Sequence, residues 1–268
     1  MNIFLNEKNV IMKDNATAYQ ARDVFKKDAD VVILNGFMIK EDFVLKENDK
    51  LTLIKKGEVP SKEELENLLV ARHTPRVHEK IKNACVGIAG LGGLGSNAAV
   101  SLARLGIGKL ILVDFDIVEP SNLNRQQYLI KHLGMSKTEA MKQLISEINP
   151  FVEVEIKNEY ITEKNVLNIF GDVDIVVEAF DNPEAKAVLV NMILSKRSDK
   201  IVVAASGMAG YFSNNTIITK KINDNFYLIG DETHEAKPGC GLMAPRVAIA
   251  ANHQANTVLR LIMGEKNI

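Results

Sequence analysis

The sequence predicts an α/β protein: a mixed, mainly parallel sheet with helices on both faces, preceded by a small strand-rich domain. Three features carry this expectation. From residue 84 onward, apolar runs of strand length alternate with helical periodicities, the pattern of parallel strands joined through helices. Residues 1–56 instead hold short strands around one helix. The stretch from Gly57 through Pro60 to Ser61 interrupts both patterns.

Taken in order, the N-terminal part reads as strands at Ile3–Leu5 and Val10–Met12, a helix from about Thr17 to Lys26, and strands at Val31–Leu34 and Leu51–Ile54. That order matches a small ubiquitin-like β-grasp fold. Asn35-Gly36 suits a tight hairpin, and Glu47-Asn48-Asp49 a polar turn before the last strand. Ser61-Lys62-Glu63-Glu64 reads as a capping box opening a helix that carries Leu65, Leu68 and Leu69, so the expected domains are 1–57 and 58–268. In the second, strands are expected at Cys85–Ala89, Leu110–Val113, Val152–Ile156, Ile175–Val177 and Ile201–Ala204, with helices near 96–105, 136–148 and 183–197. Asn215–Lys220 and Phe226–Ile229 read as antiparallel strands, and Ala244–Met263 as a long helix.

Composition removes several classes of function. A hydrophobic fraction of 46% and a charged fraction of 25% are ordinary for a soluble globular protein. With 33 Lys and Arg against 34 Asp and Glu, the formal net charge of -1 gives no global attraction to nucleic acid or to an anionic membrane. The N-terminus MNIFLNEKNV lacks the uninterrupted apolar stretch of a signal peptide. No run approaches the ~18 apolar residues of a membrane span, so a cytoplasmic location is expected. Cys85 and Cys240 are too few for a disulfide framework or a four-cysteine zinc site, and the histidines show no metal-ligand spacing.

The run from Cys85 to Ser96 places Gly90, Gly92 and Gly95 in a G-x-G-x-x-G pattern, with Gly93 inside it, where a strand ends and a helix begins. Glycine there permits a tight turn and lets backbone N–H groups and the helix N-terminus approach a nucleotide. Asp114 closes the next strand, about 20 residues on, where an acid hydrogen-bonds ribose hydroxyls. These residues leave NAD, FAD and ATP all open. The polar run Asp114–Gln127 that follows is dense in groups that bind charged oxygen, as a triphosphate requires. Arg125 offers a bidentate fork, and Lys137 a point charge at a helix start. Asp181, in Ala179-Phe180-Asp181-Asn182 after a strand, is placed to hold Mg²⁺. A nicotinamide or flavin oxidoreductase would have no use for Arg125, Lys137 and Asp181 together.

Gly90–Ser96, Leu112–Asp116, Ser121–Gln126, Lys137, Ile148-Asn149-Pro150 and Phe180–Asn182 together resemble the ThiF/MoeB/HesA superfamily of carrier-protein adenylyltransferases, related to ubiquitin-activating enzymes. The likeness covers roughly residues 65–265 and is greatest to a short ThiF with an N-terminal ThiS-like domain. It implies a Rossmann-like domain that uses ATP and Mg²⁺ to adenylate the terminal glycine carboxylate of a ThiS-type sulfur-carrier protein, in thiamin thiazole biosynthesis. It further implies that Gly90, Gly92, Gly93, Gly95, Asp114 and Asp116 line the nucleotide, with Asp114 on the ribose. Asn122, Arg125 and Lys137 would contact the phosphates, and Asp181 would organise Mg²⁺.

Family members are homodimers in which an arginine reaches across to the partner's site. Arg72 and Arg76 are the candidates here, Arg72 the preferred one. The paired Cys-x-x-Cys motif of many relatives is missing, so no zinc is expected. Cys240 lies where some relatives carry a reactive thiol, while Cys85 is expected to be buried and inert. The β-grasp segment runs through a single Gly57 into the linker without a free carboxylate, so it is expected to dock, dimerise or regulate rather than serve as substrate. A noncatalytic member that binds a β-grasp partner is the alternative.

Overall fold

Ile3, Val32, Leu51 and Leu53 bury one face of a set of short strands, and a single helix supplies Ala18 and Ala21 to cover it. The computed structural model describes residues 1–74 and 76–267, and the chain divides into two compact units, Met1–His78 and Glu79–Ile268. In the first unit, β1 (Asn2–Leu5) pairs antiparallel with β2 (Lys8–Ile11) and parallel with β5 (Lys50–Ile54). Helix α1 (Ala18–Phe25) is capped by a reciprocal Thr17–Gln20 box. β3 (Val31–Leu34) and β4 (Phe37–Met38) complete the sheet order β2-β1-β5-β3-β4. Asn35 and Gly36 both take positive φ, as a two-residue hairpin turn requires.

Helix α2 (Lys62–Arg72) belongs to the same unit, and Ser61 caps it by accepting from Glu64 N–H at 3.2 Å. The expected capping box is only half made. The Glu64 carboxylate accepts from Asn6 Nδ2 instead, which ties α2 to the turn between β1 and β2. The short helix α3 (Val77–Ile81) follows.

In the second unit the strands are β6 (Cys85–Ala89), β7 (Lys109–Val113), β8 (Glu153–Lys157), β9 (Ile175–Glu178), β10 (Ile201–Ala205), β11 (Ile218–Asn223) and β12 (Phe226–Gly230). They form one sheet in the order β11-β12-β10-β9-β6-β7-β8. Every neighbouring pair is parallel except β11–β12. The last strand pair is therefore antiparallel as expected, while β12 also lies parallel to β10. Strand β11 starts later than the sequence suggests, because Asn214–Thr216 close a 3-10 turn first.

Helices α4 (Gly93–Arg104), α5 (Lys137–Ile148) and α8 (Ala244–Met263) pack together, α4 against both others. The short α6 (Val166–Ile169) and α7 (Pro183–Lys196) pack on one another and join a core with Ala89, Val176 and Val202. Alternation along β6 sets the two faces apart. A side chain at Gly87 would strike Phe170 beside α6, whereas Ile88 lies toward Gly95 of α4. From β6 the chain runs outward to β7 and β8, then returns to place β9 and β10 on the opposite side. Ligands of open α/β sheets bind beyond the strand ends at such a reversal, here between β6 and β9.

Candidate functional site

The loop after β6 is shaped by its glycines in two ways. Gly90 sits at φ +91°, and a Cβ there would lie 2.8 Å from the Ala179 carbonyl oxygen, so the loops after β6 and β9 touch. A Cβ on Gly95 would fall 1.8 Å from Gly90 O, and one on Gly93 2.9 Å from Val247 Cγ1. Gly92 differs, since its nearest neighbour would be Gln126 Nε2 at 4.0 Å. The fold itself does not demand a glycine at that point. Gly92 is also the N-cap of α4 and gives it no side-chain cap, so the helix opens toward free space with its dipole and N–H groups uncovered.

Asp114 follows β7 directly and is buried. Its Oδ2 accepts from Leu91 N–H at 2.6 Å and its Oδ1 from Asp116 N–H at 2.8 Å, which fixes the acid against the glycine loop. Burial pushes its carboxyl up, against the pull of the Lys137 charge and these two N–H donors. Ser136 caps α5, which puts Lys137 at its first position, and Lys137 Nζ bonds Asp116 Oδ2 at 2.7 Å. Tyr128 donates its buried hydroxyl to Leu91 O at 2.8 Å. The chain Leu91–Asp114–Asp116–Lys137 thus holds both acids and the lysine beside the turn.

Arg125 stands on the other side of the helix start, with its Cγ 3.5 Å from a Cβ placed on Gly93. Its NH1 donates to Ser121 O at 3.2 Å and Asn124 Oδ1 at 2.8 Å, while its Nε is buried with no partner among the described residues. The guanidinium lines a groove of about 330 Å³ with Asn97, Gln126 and Pro245. Asn122 builds the turn below it. The Asn122 amide oxygen accepts from Glu119 N–H at 3.1 Å, and Asn122 O accepts from Arg125 N–H at 3.2 Å.

Asp181 follows the segment that touches Gly90. It is exposed and makes no hydrogen bond or ion pair among the described residues. The helix cap is its neighbour, since Asn182 Oδ1 accepts from Glu184 and Ala185 N–H at 2.9 Å each. Among the described residues no group of three or more His, Cys, Asp or Glu could enclose a metal ion. An unengaged carboxylate at this position would suit Mg²⁺, which is commonly held by one or two carboxylates and a substrate's phosphates.

The structure therefore brings Gly90–Gly95, Asp114, Asp116, Arg125, Lys137 and the Asp181 turn to one end of β6 and β9. Arg72 and Arg76 belong to the first unit; Arg72 is exposed, with NH2 3.8 Å from Glu7 Oε1. Cys240 closes a tight turn with Lys237, and its sulfur lies 3.2 Å from a Cβ placed on Gly210. Cys85 is half-buried rather than fully enclosed, and burial pushes its thiol up despite the nearby Lys109 charge.

Two groups at this end escape a reading of the residues alone. Gln126 is almost fully buried, its Oε1 has no partner among the described residues, and its amide nitrogen faces Gly92. In sequence it is one amide in a polar run. Glu178 is fully buried at the end of β9, where the sequence shows only an acid after an apolar strand. Among the described residues, no helix is long and apolar enough to cross a membrane.

Residues 1–57 match the ThiS-like ubiquitin family, and residues 65–268 match the ThiF family. The chain is 37% identical over 134 residues to ubiquitin-like modifier-activating enzyme 5 of Caenorhabditis briggsae, an overlap of 46% of this chain and 31% of that protein. It is 31% identical over 194 residues to a probable molybdopterin-synthase adenylyltransferase of Porphyra purpurea, covering 71% of this chain and 51% of that protein. The chain thus spans from about a third to half of the length of these curated relatives. In fold it is similar to the tRNA N6-threonylcarbamoyladenosine dehydratase TcdA of E. coli, solved with ATP, at a TM-score of 0.68 and 24% identity over 78% of this chain and 98% of that one. With the family match running from residue 65, within α2, to residue 268, past α8, the chain belongs to the ThiF family.

Proposed function

We propose that this protein is a carrier-protein adenylyltransferase, which uses ATP to adenylate the C-terminal glycine carboxylate of a ubiquitin-like sulfur carrier of the ThiS type. The observation that carries the reading is the cleft between β6 and β9. There an uncapped helix N-terminus opens at Gly92, between Arg125 on one side and the Asp116–Lys137 pair on the other. The adenylyltransferase name of the Porphyra relative supports the same chemistry.

In this reading Asp114 receives the ribose, and Gln126 and the α4 N–H groups meet the phosphates where Gly92 leaves room. Arg125, Asn122 and Lys137 offset the charge that builds up on the departing pyrophosphate, Lys137 exchanging its Asp116 contact for phosphate oxygen. Asp181 holds Mg²⁺, which supplies charge neutralisation on the triphosphate when bound. A carboxylate oxygen of the carrier's last glycine forms a bond to the α-phosphorus as the bond to pyrophosphate breaks. No protein nucleophile is needed, and the chain's part is positioning and electrostatics. The protein works as a cytoplasmic homodimer, with Arg72 serving the partner's site. The fused β-grasp domain docks, dimerises or regulates, and the endpoint is the thiamin thiazole.

The test is mass spectrometry of candidate carriers incubated with the protein, ATP and Mg²⁺. An AMP adduct on a terminal glycine is the expected product. Arg125→Ala and Asp181→Ala are each expected to abolish it while leaving the circular dichroism spectrum unchanged. Normal turnover by either variant removes that residue from the mechanism.

A further inference from the structure

Glu178 ends β9 with no exposure to solvent, three residues before Asp181. Its Oε1 accepts from Phe180 N–H at 2.7 Å, and its Oε2 meets Lys186 Nζ, from the first turn of α7, at 2.6 Å. Lys186 Nζ also donates to Ala205 O, at the end of β10, at 2.6 Å. Gln254 of α8 donates its amide to Glu178 O at 2.8 Å. Burial pushes the Glu178 carboxyl up, opposed by the Lys186 charge and by the N–H groups of Phe180 and Ala205.

A buried ion pair is a weak source of stability, because desolvating both charges offsets most of their attraction. An apolar pair of similar volume often serves a fold as well or better. What this pair does visibly is hold a turn. Ala179 N–H donates to Ala89 O at 2.8 Å, Phe180 N–H to Glu178, and Asn182 is locked as the α7 cap. Among the described residues, the one polar side chain of the turn left without a partner is that of Asp181. We infer that Glu178 and Lys186 are positioning residues, which fix the Phe180–Asn182 turn against the glycine loop and thereby set the Asp181 carboxylate for Mg²⁺·ATP. The inference rests on the proposed role of Asp181. Groups that orient a metal-binding side chain are commonly worth about ten- to a hundredfold in metal affinity or activity.

The experiment is calorimetric titration of the full chain with ATP, with and without Mg²⁺. Glu178→Gln is expected to weaken ATP binding in Mg²⁺ by about tenfold and to leave Mg²⁺-free binding unchanged. In an Asp181→Ala background it is expected to add no further loss. The double variant Glu178→Leu/Lys186→Met guards against simple misfolding. It is expected to stay folded, with a thermal midpoint lowered by the stranded Phe180 N–H, yet lose the same Mg²⁺-dependent increment, because the Glu178–Lys186 ion pair is gone in both variants. An equal loss with and without Mg²⁺, or a loss that adds in full to that of Asp181→Ala, reduces the pair to a structural role and overturns the inference. The underlying reading fails separately, and takes the inference with it, if Asp181→Ala itself leaves Mg²⁺-dependent binding intact.

Discussion

At Gly92 an added methyl would lie 4.0 Å from the Gln126 amide nitrogen with nothing closer, whereas at Gly95 it would sit 1.8 Å from the Gly90 carbonyl oxygen. The same substitution therefore separates open space beside the helix start from space used by the fold. Gly92→Ala is expected to change stability by less than about 1 kcal/mol, the scale of an N-cap exchange. It should weaken ATP binding by about tenfold or more, since one crowding methyl costs about 1–3 kcal/mol. Gly95→Ala is expected not to fold, and urea denaturation beside ATP titration distinguishes the two outcomes. A second residue makes a pH prediction. Burial alone would raise the Asp231 carboxyl, but donors from the His234 and Thr233 backbone, the His234 ring and the Arg246 guanidinium outweigh it and hold it at about 2. Because the folded value is depressed, this stabilisation is complete above 3.8, the ordinary aspartate value, and disappears as pH falls through about 2. Asp231→Asn strands the buried Arg246 and is expected to cost about 3 kcal/mol at neutral pH. Urea midpoints of wild type and variant should converge toward pH 2; a constant gap would mean that the ion pair is not the source.

Helix α7 opens on the tripeptide Asp181-Asn182-Pro183. Asp181-Asn182-Pro183 suits a helix start, and the structure gives the cap to Asn182 and the first helical position to Pro183. Asn182→Ala is expected to lower unfolding free energy by about 1 kcal/mol, measured by urea denaturation, while Asn182→Asp keeps the acceptor and loses little. The regular elements were legible because their signals are local: glycine at strand ends, Ser136 before α5, and short continuous apolar runs at β6, β7, β9 and β10. Their limits were less so. Strand β9 extends to Glu178, which a hydrophobic pattern ends at Val177, because Lys186, the adjacent Phe180 N–H and the remote Ala205 N–H satisfy that carboxylate. The expected Ser61–Glu64 box lost its second half for a related reason, a tertiary partner at Asn6. Local patterns cannot announce such partners.

The reversal of strand order between β6 and β9 is what turns scattered motifs into one site. Gly90, Asp114, Arg125, Lys137 and Asp181 are spread along the sequence, yet all follow elements whose ends meet there. Their types and order were readable; Gln126 and Glu178 were not, since nothing in the sequence marks a residue as buried beside that cleft. Arg72 raises a different question. It lies in the first compact unit, exposed and weakly paired to Glu7, while the cleft belongs to the second. A cation needed only as pyrophosphate departs gains nothing from a tight resting contact, and an exposed pair at 3.8 Å contributes little to stability. If Arg72 acts on a partner's nucleotide, the defect should be complementable between chains. Arg72→Ala and Asp181→Ala chains, each inactive alone, are co-expressed with different tags and the mixed dimer isolated. Such a dimer keeps one site with an intact Asp181 and an intact Arg72 from the other chain, so carrier-dependent pyrophosphate release is expected to return. Recovery with Arg76→Ala in place of Arg72→Ala, and not with Arg72→Ala, would transfer the role to Arg76. If the arginine variants are inactive and neither mixture recovers, the arginine serves its own chain's cleft.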